Sequence, residues 1–254
     1  MHKFFAKTRA IGKKIISLPE CHSTNDFVIA LSRQKTIAHG TVVLTRNQTK
    51  GRGQRGNTWE SEPGKNLLLS IFFNRDLPVL QELYLLNIIA SLAITEALHP
   101  WLEKRHFLSV KWPNDVYLNE KKFVGILIES SVLKQQLEWV VLGMGININQ
   151  TVFNYAKATS LASHGISVEE NEFLEALLLA LETGLQRLKQ GRREEILKDY
   201  YDQLLWLNEE RTFESGQLGV FTGIIRGIDT QGRLEIEREN DRLTFDVKEV
   251  KFIK

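Results

Sequence analysis

The sequence predicts a large domain that contains both strands and helices, followed by a small β-barrel. A chain of 254 residues that is 43% hydrophobic can bury a full core and fits one large domain plus a small one. Apolar segments of strand length and longer helical segments share the first part of the chain, whereas from about Glu210 the sequence turns to short alternating strands. We therefore predict two domains, residues 1–208 and residues 209–254.

The first quarter of the chain is predicted to contain three strands and one helix. Ser23, Thr24 and Asn25 offer side-chain oxygens that can cap the start of this helix. The last of these strands is apolar on both faces, which is typical of a strand inside a covered sheet. The strands cover residues 15–18, 41–45 and 66–73, and the helix covers residues 26–34.

The middle of the large domain begins with a helix over residues 80–98 that is apolar nearly all round and therefore predicts a core helix. Asn119-Glu120 is a hairpin signal, so we expect the first two of the following strands to pair. Apolar stripes on the two later helices indicate that both pack on the core. The predicted strands cover residues 108–112, 123–129 and 137–149, and the helices cover residues 170–190 and 194–207.

Short strands separated by turn residues fill the C-terminal part of the chain. The predicted strands cover residues 221–228, 234–237 and 243–247, with turns at residues 229–232 and 240–241. This pattern predicts a small β-barrel that is too short to hold an enzyme site by itself.

Composition and cysteine content limit the class of protein. A formal net charge of +2 is too small to indicate a polyanion-binding protein. The basic run at residues 3–14 lacks the apolar core of a signal peptide, and no uninterrupted apolar run reaches membrane-spanning length. The single cysteine, Cys21, excludes an internal disulfide, and the six histidines show no metal-binding spacing. We therefore expect a cytoplasmic protein without a membrane span.

A glycine-rich loop at residues 49–61 is the most distinctive stretch of the chain. Gly51-x-Gly53-x-x-Gly56 matches the dinucleotide fingerprint, but that motif needs a helix to open at its last glycine, and residues 57–65 have no helical period. Asn57 stands where a P-loop has its lysine, so the P-loop interpretation also fails. What remains is a cationic loop that can wrap an anion, or else a solvated basic loop between two strands. Trp59 favours the first alternative, because an indole has little structural purpose in a solvated loop.

Three further stretches place polar groups or glycines at the ends of, or inside, apolar strands. Residues 111–115, Lys-Trp-Pro-Asn-Asp, follow a predicted strand that Pro113 must end, although such a pentapeptide also fits a plain turn. Lys122 opens an apolar strand and is either a site cation or a lysine whose ammonium simply reaches solvent. Gly143 and Gly145 interrupt a buried strand, where a ligand or a backbone often approaches closely.

These motifs, taken together and in this order, resemble those of biotin–protein ligases. They are Ser-Thr-Asn, the Gly-Arg-Gly loop with its Trp, Lys-Trp-Pro-Asn-Asp, Lys-x-x-Gly-Ile-Leu-Ile-Glu and Gly-x-Gly-Ile-Asn, between Ser23 and Asn149. The resemblance implies an α+β, class II synthetase-like catalytic domain with a mixed β-sheet and flanking helices, plus a C-terminal SH3-like barrel. It also implies an enzyme that uses ATP and Mg²⁺ to activate biotin as biotinyl-5′-AMP. The biotin is then transferred to one lysine of a biotin carboxyl carrier protein or domain of a biotin-dependent carboxylase.

The resemblance carries residue roles onto matching positions. It implies that Lys122 and Arg52 are catalytic, because bringing a carboxylate to a phosphate needs fixed cations. It implies that Trp59 stacks on the adenine and that three glycines leave room for biotin. The implied biotin-binding residues are Ser23, Thr24, Asn25, Gln48, Gly51, Arg52, Gln54, Lys122, Gly125, Gly143 and Gly145; the implied ATP-binding residues are Arg52, Arg55, Asn57, Trp59, Asn114, Asp115, Lys122 and Asn147. No protein ligand of Mg²⁺ is assigned.

The sequence departs from repressor-type relatives in two ways. Gln54 and Asn57 stand where those relatives commonly carry arginine, which leaves the roles of these two side chains open. Only about twenty residues precede Ser23, too few for a DNA-binding module, so we expect a monofunctional enzyme that binds no nucleic acid. A homodimer is compatible with the resemblance. The alternatives are a lipoate–protein ligase or octanoyltransferase on the same core, and a non-catalytic module that binds a carrier or nucleic acid.

Overall fold

The computed structural model describes residues 7–239 and 241–253. The predicted basic run at residues 3–14 and the predicted turn at residues 240–241 lie partly outside them. The larger part of the chain contains seven strands and four helices. In chain order they are β1 Ile15–Leu18, α1 Thr24–Arg33, β2 Val42–Thr45, β3 Asn66–Phe73, α2 Tyr84–Leu98, β4 Leu108–Lys111, β5 Asp115–Leu118, β6 Lys121–Leu133, β7 Gln136–Asn147, α3 Glu170–Lys189 and α4 Arg193–Tyr201. Five further strands follow: β8 Glu210–Ser215, β9 Gly219–Ile228, β10 Leu234–Arg238, β11 Asp241–Phe245 and β12 Val250–Ile253.

The first seven strands form one mixed sheet in the order β1-β2-β3-β7-β6-β5-β4. Only β1 and β2 run parallel among these pairs, and every other pair is antiparallel. The central strands β3 and β7 pair along their full common length, from Asn66 opposite Asn147 to Phe73 opposite Val140. This register places the polar residues Asn66 and Asn147 side by side at one end of the two strands.

The sheet is covered on both faces, which explains why β3 is apolar in both directions. Leu69 and Ile71 belong to the main core under α2, α3 and α4, whereas Phe72 belongs to a smaller core under α1. All eight residues of β3 are buried, as the sequence predicts. Ser70 also points to the α1 face, where it meets the first turn of α1 rather than apolar side chains. The α1 face, which carries these polar side chains beside a small apolar core, is the more polar face of the sheet and is called its polar face.

Helix α2 is the core helix of the larger domain. Together with the 3₁₀ turns on either side, Leu80–Trp101 is long and apolar enough to cross a membrane by length and mean hydropathy, but most of it is buried within the domain. Eleven of its fifteen helical residues are buried, among them Leu85, Ile88 and Ile94. This burial identifies the segment as a core helix, in agreement with its uniformly apolar sequence.

The structure of the larger domain differs from the prediction in two regions. The strand β5 is absent from the prediction, and the Asn119-Glu120 turn joins β5 to β6 rather than β4 to β6; both turn residues have positive φ, as a tight hairpin requires. The last helix ends at Tyr201 instead of residue 207. The chain leaves the helix there because Leu205 donates to the Val110 carbonyl at 2.9 Å, which ties this segment to β4.

The C-terminal strands form a separate antiparallel sheet in the order β11-β10-β9-β8-β12. The prediction lacks β8 and β12. This sheet packs against the larger domain through the Lys-Trp-Pro-Asn-Asp segment: Trp112 Nε1 donates to the Gly232 carbonyl at 2.9 Å, and the Lys111 ammonium lies 4.8 Å from the centre of the Phe252 ring. The second sheet begins at Glu210, and a domain division at residue 208 remains a prediction.

Candidate functional site

A cavity of about 1240 Å³ lies on the polar face of the larger sheet. Strand alternation supplies its floor, because Gly125 on β6 and Gly143 and Gly145 on β7 all point to this face. The glycine-rich loop, the first turn of α1 and the edge of the C-terminal sheet form its walls. The predicted site residues that line it are Ser23, Thr24, Asn25, Gln48, Arg52, Gln54, Asn57, Trp59, Asn114, Asp115, Lys122, Gly125, Gly143, Gly145 and Asn147.

Two predicted site residues do not line the cavity or are not described there. Gly51 is part of the loop but does not line the cavity. A Cβ added to it would lie 2.5 Å from the Trp59 carbonyl oxygen, so this position needs glycine for a close backbone approach. Arg55 lies in the 3₁₀ turn Gln54–Gly56, and its side chain is outside what the structure describes.

One end of the cavity is lined by a buried network of neutral polar groups. The Thr24 backbone N–H donates to Gln48 Oε1 at 2.8 Å, and the Ser70 hydroxyl lies 2.7 Å from Thr24 Oγ1. The same Ser70 hydroxyl lies 2.5 Å from Asn25 Oδ1. Thr24, Asn25 and Ser70 are all buried, with exposed fractions of 4%, 3% and 0%. Such a network orients donors and acceptors toward an uncharged polar ligand.

The Ser-Thr-Asn segment therefore differs from the capping role that its position suggests. Ser23 is the N-cap residue of α1, but its side chain makes no capping hydrogen bond. Thr24 and Asn25 lie inside the first turn, and their side chains point to Gln48 and Ser70. The side chains of Thr24 and Asn25 therefore belong to the polar network of the cavity and do not cap the helix.

Protein side chains fill the space next to the three floor glycines. A Cβ on Gly125 or Gly145 would lie 2.7 Å or 2.5 Å from the indole of Trp59, and a Cβ on Gly143 would lie 2.3 Å from Asn25 Oδ1. The Trp59 indole thus packs flat against the floor, half-buried, and its buried Nε1 has no hydrogen-bond partner among the described residues. Glycine is needed at all three positions for this packing, and their proximity to biotin remains a prediction.

The glycine-rich loop is closed by two backbone hydrogen bonds: Gly53 N–H donates to the Asn57 carbonyl at 2.7 Å, and Trp59 N–H donates to the Gly51 carbonyl at 3.0 Å. Only the three-residue turn Gln54–Gly56 is helical in this stretch, so no helix begins at the last glycine of the loop, as a dinucleotide or phosphate motif would require.

Arg52 connects this loop to the two walls of the cavity. Its Nη2 lies 2.7 Å from Asp26 Oδ1 on α1 and 2.7 Å from Glu129 Oε2 on β6. Glu129 Oε2 also accepts from Asn25 Nδ2 at 2.8 Å. The prediction omits Glu129 and Asp26 as site residues, although Glu129 closes the Lys-x-x-Gly-Ile-Leu-Ile-Glu motif. The Nη2 group of the Arg52 guanidinium is therefore held by the carboxylates of Asp26 and Glu129.

Lys122 is the central cation of the cavity. Its ammonium lies 2.7 Å from Asp115 Oδ1 and 5.5 Å from the centre of the Trp59 ring. Lys121, its neighbour, is exposed and does not line the cavity. Strand alternation separates the two lysines as predicted.

A second group of cations lies toward the C-terminal sheet. Lys111 lines the cavity with its ammonium over Tyr117 and Phe252, at 5.6 Å and 4.8 Å from the ring centres, and has no ion-pair partner among the described residues. Burial lowers the pKa of Lys111; Asp115 opposes this, whereas the charges of Lys122 and Lys157 add to it. Lys157, also at the cavity, is likewise outside every ion pair of the described residues. Cations without partners in a cleft are suited to an anionic ligand.

Sequence reasoning missed the contribution of the C-terminal sheet. Val247, Val250 and Phe252 line the cavity, so the barrel completes a site that it cannot hold alone. No local motif marks these residues; only the packing of Trp112 on Gly232 brings them there.

The carboxylates of the cavity do not form a metal cage. Within residues 7–239 and 241–253, no three His, Cys, Asp or Glu side chains gather at a point suited to a metal ion. Asp115 forms an ion pair with Lys122. Glu129 forms an ion pair with Arg52 and accepts a hydrogen bond from Asn25.

Comparison with known proteins identifies the family. The model of the biotin/lipoate A/B protein ligase family matches residues 18–147, about half of the chain. The bifunctional ligase/repressor BirA of Escherichia coli (strain K12) is 30% identical over 233 residues, which cover 90% of this chain and 70% of that protein. The biotin–[acetyl-CoA-carboxylase] ligase of Mycobacterium tuberculosis is 30% identical over 216 residues, covering 84% of this chain and 79% of that protein.

Solved structures agree with the sequence comparison. The biotin protein ligase from Aquifex aeolicus, in complex with biotin and ATP, has a TM-score of 0.78 and 28% sequence identity, and the match covers 95% of this chain and 99% of that chain. The mixed sheet with flanking helices and the second antiparallel sheet confirm the predicted fold class. The chain therefore belongs to the biotin/lipoate A/B protein ligase family.

Proposed function

We propose that this protein is an ATP-dependent biotin–protein ligase. The observation that carries the proposal is the convergence, in one cavity, of a neutral polar network around Thr24 and Gln48 with a group of cations around Lys122. The first suits the uncharged ureido ring of biotin, and the second suits a carboxylate that meets a phosphate. The relatives named as biotin ligases support the same assignment.

The reaction has two steps. In the first, a biotin carboxylate oxygen attacks the α-phosphorus of ATP, the bond to the β-phosphate oxygen breaks, and biotinyl-5′-AMP and pyrophosphate form. In the second, the neutral ε-amine of a carrier lysine attacks the biotinyl carbonyl, an amide forms, and AMP leaves. Mg²⁺ enters with ATP as part of the nucleotide substrate. We propose that the acceptor is a biotin carboxyl carrier domain and that the reaction takes place in the cytoplasm.

The residues have distinct roles in this proposal. Lys122 sits where carboxylate and α-phosphate oxygens meet, and its ion pair with Asp115 holds the ammonium in place. Asp26 and Glu129 contact Nη2 of Arg52, and the other N–H groups of the guanidinium are proposed to bind substrate oxygens in the cavity. Fixed cations of this kind stabilise charge that develops in the transition state without reorganising.

The nucleotide is proposed to lie along Trp59 and toward the C-terminal sheet. Trp59 Nε1 and Asn147 Oδ1 are both buried, have no hydrogen-bond partner in the part of the chain that the structure describes, and offer a donor and an acceptor to a base. Lys111 and Lys157 are proposed to face the β- and γ-phosphates, where they replace charge that Gln54 and Asn57 do not supply in the loop.

Mass spectrometry tests the assignment. The purified protein is incubated with MgATP and, in parallel, with biotin, lipoate or octanoate, and the bound nucleotide is identified by mass. We expect biotinyl-AMP in the biotin reaction and little acyl-adenylate in the other two. Acyl-adenylate formed only with lipoate or octanoate would assign the protein to lipoate ligases, and no ATP consumption in any reaction would indicate a non-catalytic binding module.

The transfer step needs its own test. A biotin carboxyl carrier domain is added to the preformed adenylate, and the mass of the carrier is followed. We expect one added biotin, and none on a matched carrier whose acceptor lysine is replaced by arginine. Equal labelling of both carriers would indicate non-specific acylation by released adenylate.

A further inference from the structure

Thr159 connects two of the proposed site residues from behind the cavity. Its backbone N–H donates to the Lys122 carbonyl at 2.8 Å, and its own carbonyl accepts from Asn147 Nδ2 at 3.0 Å. Thr159 is buried, with 4% of its surface exposed. The position of this one residue therefore affects both the strand that carries Lys122 and the amide of Asn147.

His164 holds the side chain of Thr159. The imidazole Nε2 lies 2.9 Å from Thr159 Oγ1, and Nδ1 lies 3.4 Å from Asn119 Nδ2. Asn119 Oδ1 accepts the Phe107 backbone N–H at 2.8 Å, which turns the amide NH₂ of Asn119 toward His164. His164 Nδ1 must then accept, so the neutral ring carries its proton on Nε2 and donates to Thr159.

His106 fixes the neighbouring backbone in the same way. Its Nδ1 accepts from the Glu103 N–H at 3.1 Å, so its neutral ring donates from Nε2 to the His164 carbonyl at 3.2 Å. The two rings meet edge to face with their centres 6.5 Å apart. Each histidine is thus held as a specific neutral tautomer by backbone and amide partners.

A proton on His164 would disrupt this arrangement. The charged imidazole has a donor on Nδ1, which would face the amide NH₂ of Asn119 and lose that hydrogen bond. Burial lowers the pKa of His164, and its neighbours His106, Lys121 and Arg105 lower it further. Burial and these three neighbours therefore favour the neutral ring.

We infer that His164 is a positioning residue for adenylate formation, acting through Thr159 on Lys122 and Asn147. The inference rests on the proposed function and adds a residue that lies outside the cavity. His164 touches no substrate; it keeps the proposed cation and the proposed adenine-binding amide in register. Protonation of His164 should then slow the reaction in acid, while the protein stays folded.

Single-turnover formation of biotinyl-AMP, measured from about pH 5 to about pH 8, tests this inference. The wild-type rate should fall on the acid side. His164→Gln keeps an N–H donor near Thr159 but cannot take up a proton, so the acid loss should be absent in this variant. His164→Leu removes the donor, and at neutral pH its rate should be roughly two- to ten-fold below the wild-type rate, as expected for one buried hydrogen bond, with no further acid loss from this position.

Three controls make the result decisive. His106→Gln should keep the acid loss, because its ring does not contact Thr159. Circular dichroism at each pH separates loss of fold from loss of rate. In the wild-type protein, the His164 imidazole signals in NMR spectra should titrate together with the rate.

Two outcomes would overturn the inference: an acid loss that persists in His164→Gln, or one that disappears in His106→Gln instead. A wild-type protein that makes no adenylate at any pH would contradict the proposed function itself. In that case NMR would still decide whether His164 changes the environment of Asn147 and Lys122 as it titrates.

Discussion

At the residue scale, the chemistry depends on which of two adjacent lysines faces the cavity. Lys122 lies 2.7 Å from Asp115 and lines the cavity, whereas Lys121 is exposed and lies outside it. The two side chains differ in environment although their sequence positions differ by one, because successive side chains of a strand point to opposite faces. A substitution of Lys121 therefore serves as the control for the same substitution of Lys122, because only Lys122 brings its charge to the cavity.

We expect Lys122→Ala to abolish most adenylate formation and Lys121→Ala to change it little. Removing a fixed donor at developing charge typically costs on the order of 10²–10³ in rate. Pyrophosphate release in a single turnover, without any carrier, measures this step directly. Synthetic biotinyl-AMP should restore much of the transfer by Lys122→Ala. Parental rates of adenylate formation in both variants would mean that the cation is placed incorrectly.

At the scale of elements, the glycine-rich loop is attached to the rest of the cavity through Arg52. The ion pairs of Arg52 with Asp26 and Glu129 join the loop to α1 and β6, and the Trp59 indole packs on the floor. Three glycines make this loop costly to order, so these few contacts decide how often it is closed.

We expect Glu129→Gln to weaken closure of the loop. Exposed ion pairs contribute only about 0.2–1 kcal/mol, but Glu129 is also a hydrogen-bond acceptor for Asn25, so its loss affects two walls. Hydrogen exchange across residues 50–59 should become faster in the variant and should slow when biotin and MgATP are added.

Glu138→Gln is the matched control, because Glu138 lies on the same hairpin, away from the cavity lining, and accepts a hydrogen bond from Ser131. Its loop should exchange like that of the wild-type protein. Identical exchange in Glu129→Gln and the wild-type protein would exclude an anchoring role for Glu129.

A second element-scale device attaches the N-terminal segment to α3. The Glu182 carboxylate accepts the backbone N–H groups of Arg9, Ala10 and Ile11 at 2.6, 2.7 and 3.1 Å. Burial alone raises the pKa of Glu182, but the three N–H donors and the charge of Lys13 outweigh burial, so the pKa lies below its ordinary value.

This lowered pKa predicts the sign of a pH effect on stability. The unfolded carboxyl binds its proton at higher pH than the folded one, so the stabilisation is complete above the ordinary pKa of glutamate. It is lost as the pH falls through the folded pKa. We expect Glu182→Gln to reduce the free energy of unfolding by about 1–3 kcal/mol at neutral pH, and by less in acid. Urea unfolding at both pH values measures this difference; a constant difference would contradict the assignment.

At the scale of the whole molecule, the site needs both sheets. Lys111 at the end of β4 lies between Tyr117 of the larger sheet and Phe252 of the C-terminal sheet. The C-terminal sheet thus supplies a wall and an aromatic face to a cation that has no carboxylate partner among the described residues.

We expect Phe252→Leu to raise the KM for MgATP by about two- to five-fold, as loss of a cation–π contact of about 0.5–1 kcal/mol predicts. Biotin binding without nucleotide should stay near the wild-type value. Val220→Ala, an exposed position of the same sheet, is the control and should change neither quantity. An equal loss of affinity for biotin and ATP in Phe252→Leu would indicate that the ring only stabilises the fold.

The sequence by itself determined most of the helices and strands of the larger domain and the motifs whose residues line the cavity. Glycines inside an otherwise apolar strand marked Gly143 and Gly145 as places of close approach, and the uniformly apolar α2 identified the core helix. The absence of a helical period after Gly56 excluded the dinucleotide interpretation, and the structure agrees. These features are local, so the residues that specify them are neighbours along the chain.

Only the tertiary structure decided which groups meet across the cavity. The carboxylates of Asp26 and Glu129 come from different elements, yet both contact Arg52, and Phe252 reaches Lys111 from the other sheet. The early end of α4 also depends on a distant residue, because Leu205 donates to the Val110 carbonyl on β4. Contacts of this kind arise from sheet register and domain packing, which no window of sequence contains.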